Sequence, residues 1–543
     1  MNRRLLGLLA LAVVPVLVVG VFFVLPVSGM LALGFWPDGH FAPGAALEVL
    51  TRGRTGRVLG FTLWSAAVAT TVAVLLGLPA AYVLHRTSFP LRRVVRALLL
   101  VPFVLPTVVV GVAFRQLLGE GGPLGFLGLD GTPAAIVLGL VFFNVAVVIR
   151  VVGGAWEGLD ARAGQAAATL GASPVQLFRT VTLPALRPAV TSAATVVFLF
   201  CATAFGIVLT LGGTRHAMIE TEIYLLTVQV FDLSAAAALS VLQLVVVIGL
   251  LVLAQRVRVV APVSRAPSGP RRLSRADGVP VAATLLVLTF VAIPIVSLVA
   301  GSLRVDGAWS LQNYAALGTT GDRDALQVTV AEALVNSLRT AVDATWMAVG
   351  TGLLVALVVT RRSRAPVERR VRGLLDGFFM LPLGVSAVTL GFGLLITLDQ
   401  PPLDLRDSAL LVPVAQALVA LPLVVRTLVP VLAGIDDRQR QAAASLGAGP
   451  LRSVLTVDLP VLWKPLLAGA GFAFAASLGE FGATSFLARE DFPTLPLVIF
   501  RLLGHPGELN YGMALAASVL LAATTALVML LVERLRVTSA GAF

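Results

Sequence analysis

Runs of about twenty almost wholly apolar residues recur along the chain, and no other feature limits its fold as strongly. A hydrocarbon core about 30 Å thick is crossed by about 20 residues rising 1.5 Å each. In lipid every backbone N–H and C=O must find its partner within the protein, so such runs must be helices. The runs fall at 5–33, 58–84, 98–118, 134–152, 188–211, 235–255, 279–300, 334–360, 374–398, 408–432, 464–487 and 510–532. They predict an all-α membrane protein with about 12 transmembrane helices. Hydrophobic residues make up 58% of the chain and charged residues 13%, which excludes an ordinary soluble domain.

The formal charge of +12 would suit a nucleic-acid partner, but the basic residues cluster at the ends of the apolar runs. There they set orientation against membrane lipid, and no nucleic-acid partner is expected. With the N-terminus in the cytoplasm, Arg3 and Arg4, the arginines of 86–96, 256–275 and 361–372, and Arg534 and Arg536 all come out inside, and the C-terminus is cytoplasmic too. The outer loops then hold Glu220, Glu222, Asp232, Asp322, Asp324, Asp399, Asp404, Asp407, Glu490 and Asp491. Arg52, Arg54 and Arg57 break the pattern. The charged N-terminus runs into apolar sequence without a clean cleavage site, so it reads as an uncleaved first helix.

Against this background one polar stretch occurs twice. Residues 159–184 read LDARAGQAAATLGASPVQLFRTVTLP and residues 435–460 read IDDRQRQAAASLGAGPLRSVLTVDLP, offset by 276 without a gap. Asp160/Asp436, Gln165/Gln441, the alanine triplets, Gly171/Gly447 and the Leu-Pro ends coincide. Flanking sequence matches as well, with Gly111 opposite Gly391 and Arg150 opposite Arg426. The chain is therefore read as two parallel six-helix repeats, 1–255 and 279–543, joined by a Pro/Ser/Arg-rich cytoplasmic linker at 256–278. An even number of helices per repeat places both polar stretches on one side of the membrane. Each stretch reads as two short helices: an alanine-rich one stopped by Gly171, then one capped by Ser173 and ended by Leu183 and Pro184. The alanines leave a bare face on which another protein can approach closely. An ordinary capped loop is the plainer reading of one copy, and the second copy weighs against it.

Several other residues call for a role. Glu480 lies about 22 Å into its predicted helix, counted at 1.5 Å per residue. A carboxylate at that depth costs a few kcal/mol unless paired or wet. It either lines a pathway, favouring a cationic solute or shaping a gate, or bonds a neighbouring helix or an unwound turn around Gly479 and Gly482, the second being the commoner case. Asp343 sits near an outer helix end, and Asn144 suits an interhelical hydrogen bond. Pro102, Pro106, Pro382 and Pro422 mark kinks or unwound turns. The chain's sole lysine, Lys464 in VLWKPLL, stands outside any G-x-x-x-x-G-K-[ST] loop, so ATP hydrolysis would fall to another polypeptide. Cys201 is alone, and His40, His85, His216 and His505 are scattered, so no metal site is expected.

The spacing Ala-Ala, three residues, Gly, nine residues, a β-branched residue, one residue and Leu-Pro resembles the EAA loop of binding-protein-dependent ABC importer permeases. Its double occurrence and the six-plus-six layout resemble the fused permeases of the thiamine and ferric-iron importers. The resemblance implies a coupling loop at 157–184 and another at 433–460, each carrying a helix that docks on a cytoplasmic ABC ATPase dimer. The coupling role falls on Asp160, Gln165, Ala166, Ala167, Gly171 and Pro184, and on Asp436, Gln441, Ala442, Ala443, Gly447 and Pro460. Both copies carry Gln where the family has Glu. The resemblance further implies a bacterial cytoplasmic-membrane transport subunit that is not itself an enzyme. It binds no cofactor, since ATP and Mg belong to the ATPase, and it receives solute from an extracytoplasmic binding protein. Glu480, Phe481, Phe205 and Asn144 are the candidate pathway residues. Residues 201–243 and 491–496 resemble thiamine permeases, so thiamine or thiamine phosphate is the first expectation and ferric iron the next. An ion-coupled secondary transporter and a non-transporting membrane scaffold are the alternatives.

Overall fold

The computed structural model describes residues 3–36, 40–213, 215–257, 269–361, 366–399 and 403–535. In chain order the first half holds helices α1 (Leu9–Phe35), α2 (Gly53–Arg86), α3 (Arg92–Val104), α4 (Thr107–Leu118) and α5 (Pro133–Glu157). There follow α6 (Ala161–Thr169), α7 (Val175–Ala202), α8 (Gly206–Gly212), α9 (Ile219–Leu225) and α10 (Leu233–Val257). The second half holds α11 (Gly278–Ser302), α12 (Val330–Thr360), α13 (Pro366–Phe379), α14 (Ala387–Thr397) and α15 (Leu411–Gly434). It ends with α16 (Asp437–Ser445), α17 (Leu451–Leu478), α18 (Thr484–Leu487), α19 (Leu495–Gly504) and α20 (Glu508–Leu535).

Among the described residues ten helices are long and apolar enough to cross a membrane, or eleven if α3 and α4 form one bent span. The difference from twelve lies in the third helix of each repeat. The run at 98–118 bends by 104° between α3 and α4, where Pro106 supplies no N–H to continue the ladder. The run at 374–398 likewise divides into α13 and α14 around Pro382. Of the sequence-predicted linker, residues 258–268 lie outside the described residues, as do the last eight residues of the chain.

Two compact units interleave along the sequence. One comprises Glu48–Leu225 and Leu242–Asn313; the other comprises Met1–Leu47, Leu226–Val241 and Tyr314–Phe543. Inside the first, α2, α5 and α7 pack as a triad, with α11 laid against α2, α3 and α4. Inside the second, α12, α15 and α17 form the corresponding triad, with α1 on α12 and α14. Small residues permit the close approach that membrane helices need in place of a hydrophobic drive. A Cβ on Gly77 would stand 2.7 Å from Val148 Cγ1, and one on Gly352 would stand 2.7 Å from Val424 Cγ1. The same Gly-to-Val contact thus seats the triad in both units.

Two of the glutamates assigned to outer loops are buried. Glu222 lies in α9, 3% exposed, and takes Nε and Nη2 of Arg54 at 2.5 and 2.9 Å. Glu220, fully buried, accepts from Gln243 Nε2 at 2.8 Å. The first pair also gives a partner to one of the three arginines that break the expected charge pattern. Arg54 is neutralised by a partner 168 residues away, and Arg52 lies 3.7 Å from Glu48.

Candidate functional site

The two repeated loops share one backbone design. Asp160 caps α6 by accepting the Arg162 N–H at 2.9 Å, and Asp436 caps α16 by accepting the Arg438 N–H at 2.9 Å. Both helices stop on a glycine in the left-handed region, φ +83° at Gly171 and +81° at Gly447. The following N–H turns back to the helix, Ala172 to the Ala167 carbonyl at 3.1 Å and Ala448 to the Ala443 carbonyl at 2.9 Å. A Cβ at either glycine would be strained, which explains why this residue recurs. The outward face is bare and greasy. Gln165, Ala166, Gln441 and Ala442 are exposed, Ala167 and Ala443 are half-buried, and Leu170 and Leu446 are 89% and 87% exposed.

One expectation is corrected here. Leu183-Pro184 and Leu459-Pro460 do not end the second short helix. The chain passes through a five-residue π-turn, Phe178–Thr182 in one loop and Val454–Asp458 in the other, and continues into the membrane helix. Leu183 N–H bonds the Phe178 carbonyl, and Leu459 N–H bonds the Val454 carbonyl. A proline ring ordinarily clashes with the carbonyl four residues back. Widening the preceding turn by one residue relieves that clash, so α7 and α17 run unbroken from loop to membrane interior. Each loop is thereby joined to a continuous 28-residue helix, about 42 Å long.

Reading the sequence passed over the side chains that hold these loops in place. Trp156 stacks on Phe178 with ring centroids 6.3 Å apart, and Tyr82 lies 5.3 Å from Trp156. Tyr82 in turn donates to Asp277 at 2.8 Å, and Arg271 donates to both Tyr82 and Asp277 at 2.5 Å. Burial alone would push the Asp277 carboxyl up. The Ser274 N–H, the Arg271 guanidinium and the Tyr82 hydroxyl outweigh it and hold it at about 2, so the pair stays ionised at physiological pH. In the second loop the corresponding ties come from Arg440 and Asp458. Their only sequence signal is that they break the repeat, which compares like with like and so overlooks them.

At their far ends both of these long helices stop short of the predicted span. α7 ends at Ala202 and α17 at Leu478, and each is followed by a break and a short helix. The breaks pack on the starts of α4 and α14. A Cβ on Gly206 would lie 3.1 Å from Val108 N, and one on Gly482 would lie 3.2 Å from Val388 N. Phe205 meets Tyr224 edge-on at 5.4 Å, and Phe481 meets Phe500 at 5.5 Å, corresponding positions at the 276 offset. Glu480 is not in mid-helix. It stands in the second break, 7% exposed, and accepts from Ala483 N at 2.7 Å, Thr484 N at 3.0 Å and Thr484 Oγ1 at 2.5 Å. Its carboxylate therefore caps α18, and Thr484 Oγ1 also accepts from Gln416 Nε2 at 3.2 Å. Asn144 lies elsewhere, bonding the Leu140 carbonyl at 3.0 Å and Cys201 Sγ at 3.4 Å, and so ties α5 to α7. Among the described residues no three His, Cys, Asp or Glu side chains are placed to hold a metal ion.

Comparison with known proteins matches both repeats to one family. Its description is "binding-protein-dependent transport system inner membrane component", and it covers residues 73–259 and again 348–536. The thiamine transport system permease protein ThiP of Brucella abortus (strain 2308) is 27% identical over 510 residues, 88% of this chain and 90% of that protein. ThiP of Escherichia coli (strain K12) is 29% identical over 459 residues, 82% of this chain and 83% of its own. The molybdenum transport system permease protein ModB of Mycobacterium tuberculosis is 40% identical over 198 residues, 35% of this chain and 74% of its own.

Proposed function

The chain belongs to the family of binding-protein-dependent transport system inner membrane components, and on that premise we propose that the solute it passes is thiamine or a thiamine phosphate. It is a multi-pass inner-membrane permease subunit of an ABC importer, with both permease repeats fused in one polypeptide. The substrate reading rests on coverage. Permeases named for thiamine align over 88% of this chain, through both repeats, whereas the molybdenum permease aligns with 35% of it.

The partners follow from the same reading. An ATPase dimer takes α6 and α16, with Leu170 and Leu446 as apolar knobs entering its surface. ATP and Mg stay on that dimer, and a binding protein delivers solute from the outside. Closure of the ATPases moves both loops; because the helices are continuous through the π-turns, the displacement travels along α7 and α17 to the breaks at 203–205 and 479–483. There the packing against α4 and α14 changes, and access alternates between the two sides. Gln165 and Gln441 can exchange neutral hydrogen bonds with the ATPase where relatives with Glu would place a charge.

Two tests follow. Titrating the cognate binding protein with thiamine, thiamine phosphates, ferric iron and molybdate should give a thiamine compound an affinity on the order of 1,000-fold above the others, about 4 kcal/mol. Tight molybdate or iron binding with no thiamine binding would remove the substrate assignment. The second concerns Glu480, whose oxygens are engaged in capping. Glu480→Gln loses one accepting oxygen and should cost about 1–3 kcal/mol of stability. Uptake per folded molecule should stay within about twofold of wild type, a difference below 0.5 kcal/mol. A fully stable variant with uptake abolished would make Glu480 a pathway residue instead.

A further inference from the structure

The two loops are alike in backbone and unlike in what fastens them. In the second, one guanidinium joins three segments. Arg440 donates from Nε to Asp458 at 2.8 Å, from Nη1 to Asp437 at 3.0 Å, and from Nη2 to the Leu432 carbonyl at 3.4 Å. Those partners belong to the π-turn, the first turn of α16 and the last turns of α15. The Asp458 side chain is 1% exposed and that of Arg440 is 17% exposed, so the pair is shielded from water and salt.

At the same places in the first loop, 276 residues earlier, stand Thr182, Gly164, Ala161 and Trp156. No ion pair can form among them. Trp156 instead stacks on Phe178, the first residue of that π-turn, at an interplanar angle of 26°. The second loop has Leu432 and Val454 where the first has Trp156 and Phe178. Five positions therefore differ as a set. The aromatic pair spans the same gap, from the preceding membrane helix to the π-turn, that the Arg440 guanidinium spans in the other copy.

We propose that Arg440 and Asp458 are positioning residues of the second coupling loop, setting its orientation through a buried ion pair where the Trp156–Phe178 stack does so in the first. This rests on the reading that both loops receive force from an ATPase. An apolar stack and a buried charge pair fail under different substitutions. Asp458→Asn removes the charge that Arg440 needs without changing side-chain size, and it leaves the first loop untouched.

The test is hydrogen exchange on the full-length permease in lipid nanodiscs, without ATPase. Asp458→Asn should speed exchange of the amides in 438–446 by about tenfold and leave 162–170 unchanged. Arg440→Gly with Asp458→Thr should do the same. Adding Leu432→Trp and Val454→Phe to that double variant transplants the first loop's anchor and should restore slow exchange. In the complete transporter, solute moved per ATP hydrolysed should fall in Asp458→Asn and recover in the fourfold variant. Unchanged exchange at 438–446 in Asp458→Asn, or a fourfold variant that exchanges as fast as the double, overturns the proposal. So does a loosened loop with undiminished transport per ATP. Because exchange is read without ATPase, a failure of the docking reading would appear only in the transport arm, in wild type as much as in the variants.

Discussion

Gly391→Leu is expected to yield almost no folded permease, whereas Gly350→Leu should be recovered near the wild-type level. Both glycines sit in membrane helices of the same unit, and their surroundings differ. A Cβ on Gly391 would lie 2.6 Å from Ala483 Cα and 3.0 Å from the Ala483 carbonyl oxygen. Those are backbone atoms of the helix break, so no side-chain rotation can relieve the contact. A Cβ on Gly350 meets nothing within 4 Å. Overpacking a well-filled site costs typically 1–3 kcal/mol when side chains can shift. Against backbone the cost should exceed that range, and even Gly391→Ala should lower the melting temperature. Detergent-solubilised protein heated and then run on a sizing column reports it. A Gly391→Leu variant as heat-resistant as wild type would show that α14 does not seat the break.

Much of this architecture can be read from residues alone, because the forces responsible are local. An apolar run of bilayer length must be a helix wherever it sits. Asp160 and Gly171 announce the start and stop of a helix by their own chemistry, and their counterparts Asp436 and Gly447 adopt the same geometry. What escaped was decided by distant partners. Glu222 reads only as an outer-loop acid until Arg54, 168 positions away, is brought to it. The Leu-Pro pairs read as helix ends because the clash that ends a helix is local, while its relief by a π-turn depends on the membrane helix beyond. Glu480 reads either as a pathway acid or as the partner of an unwound turn around Gly479 and Gly482, and only the amides of Ala483 and Thr484 decide between the two by making it a cap. The grouping of residues 1–47 with the second repeat is equally silent in the repeat pattern.

The second large effect belongs to the bare faces of the coupling helices. Replacing Ala166 and Ala442 together by Glu should reduce ATP-driven uptake at least about 100-fold, some 2.7 kcal/mol, with the membrane fold intact. Both alanines are exposed, so the longer side chains displace nothing within the chain. Glu is nearly as good a helix former as Ala, a difference of a few tenths of a kcal/mol. An ATPase surface closing on either helix would have to bury an unpaired carboxylate, which costs several kcal/mol per ion. The damage should therefore show in association rather than in folding.

The central claim, that this chain is driven through two polar loops by a separate ATPase, is tested most directly by reconstitution. The tagged chain, its ATPase and its binding protein are placed in proteoliposomes, and labelled thiamine uptake is followed with and without ATP, for wild type and for the Ala166→Glu, Ala442→Glu variant. The prediction is ATP-dependent uptake by wild type, and for the variant neither uptake nor ATPase retained on the tag. Uptake driven by an ion gradient without ATPase, or full ATPase retention and uptake by the variant, would contradict it.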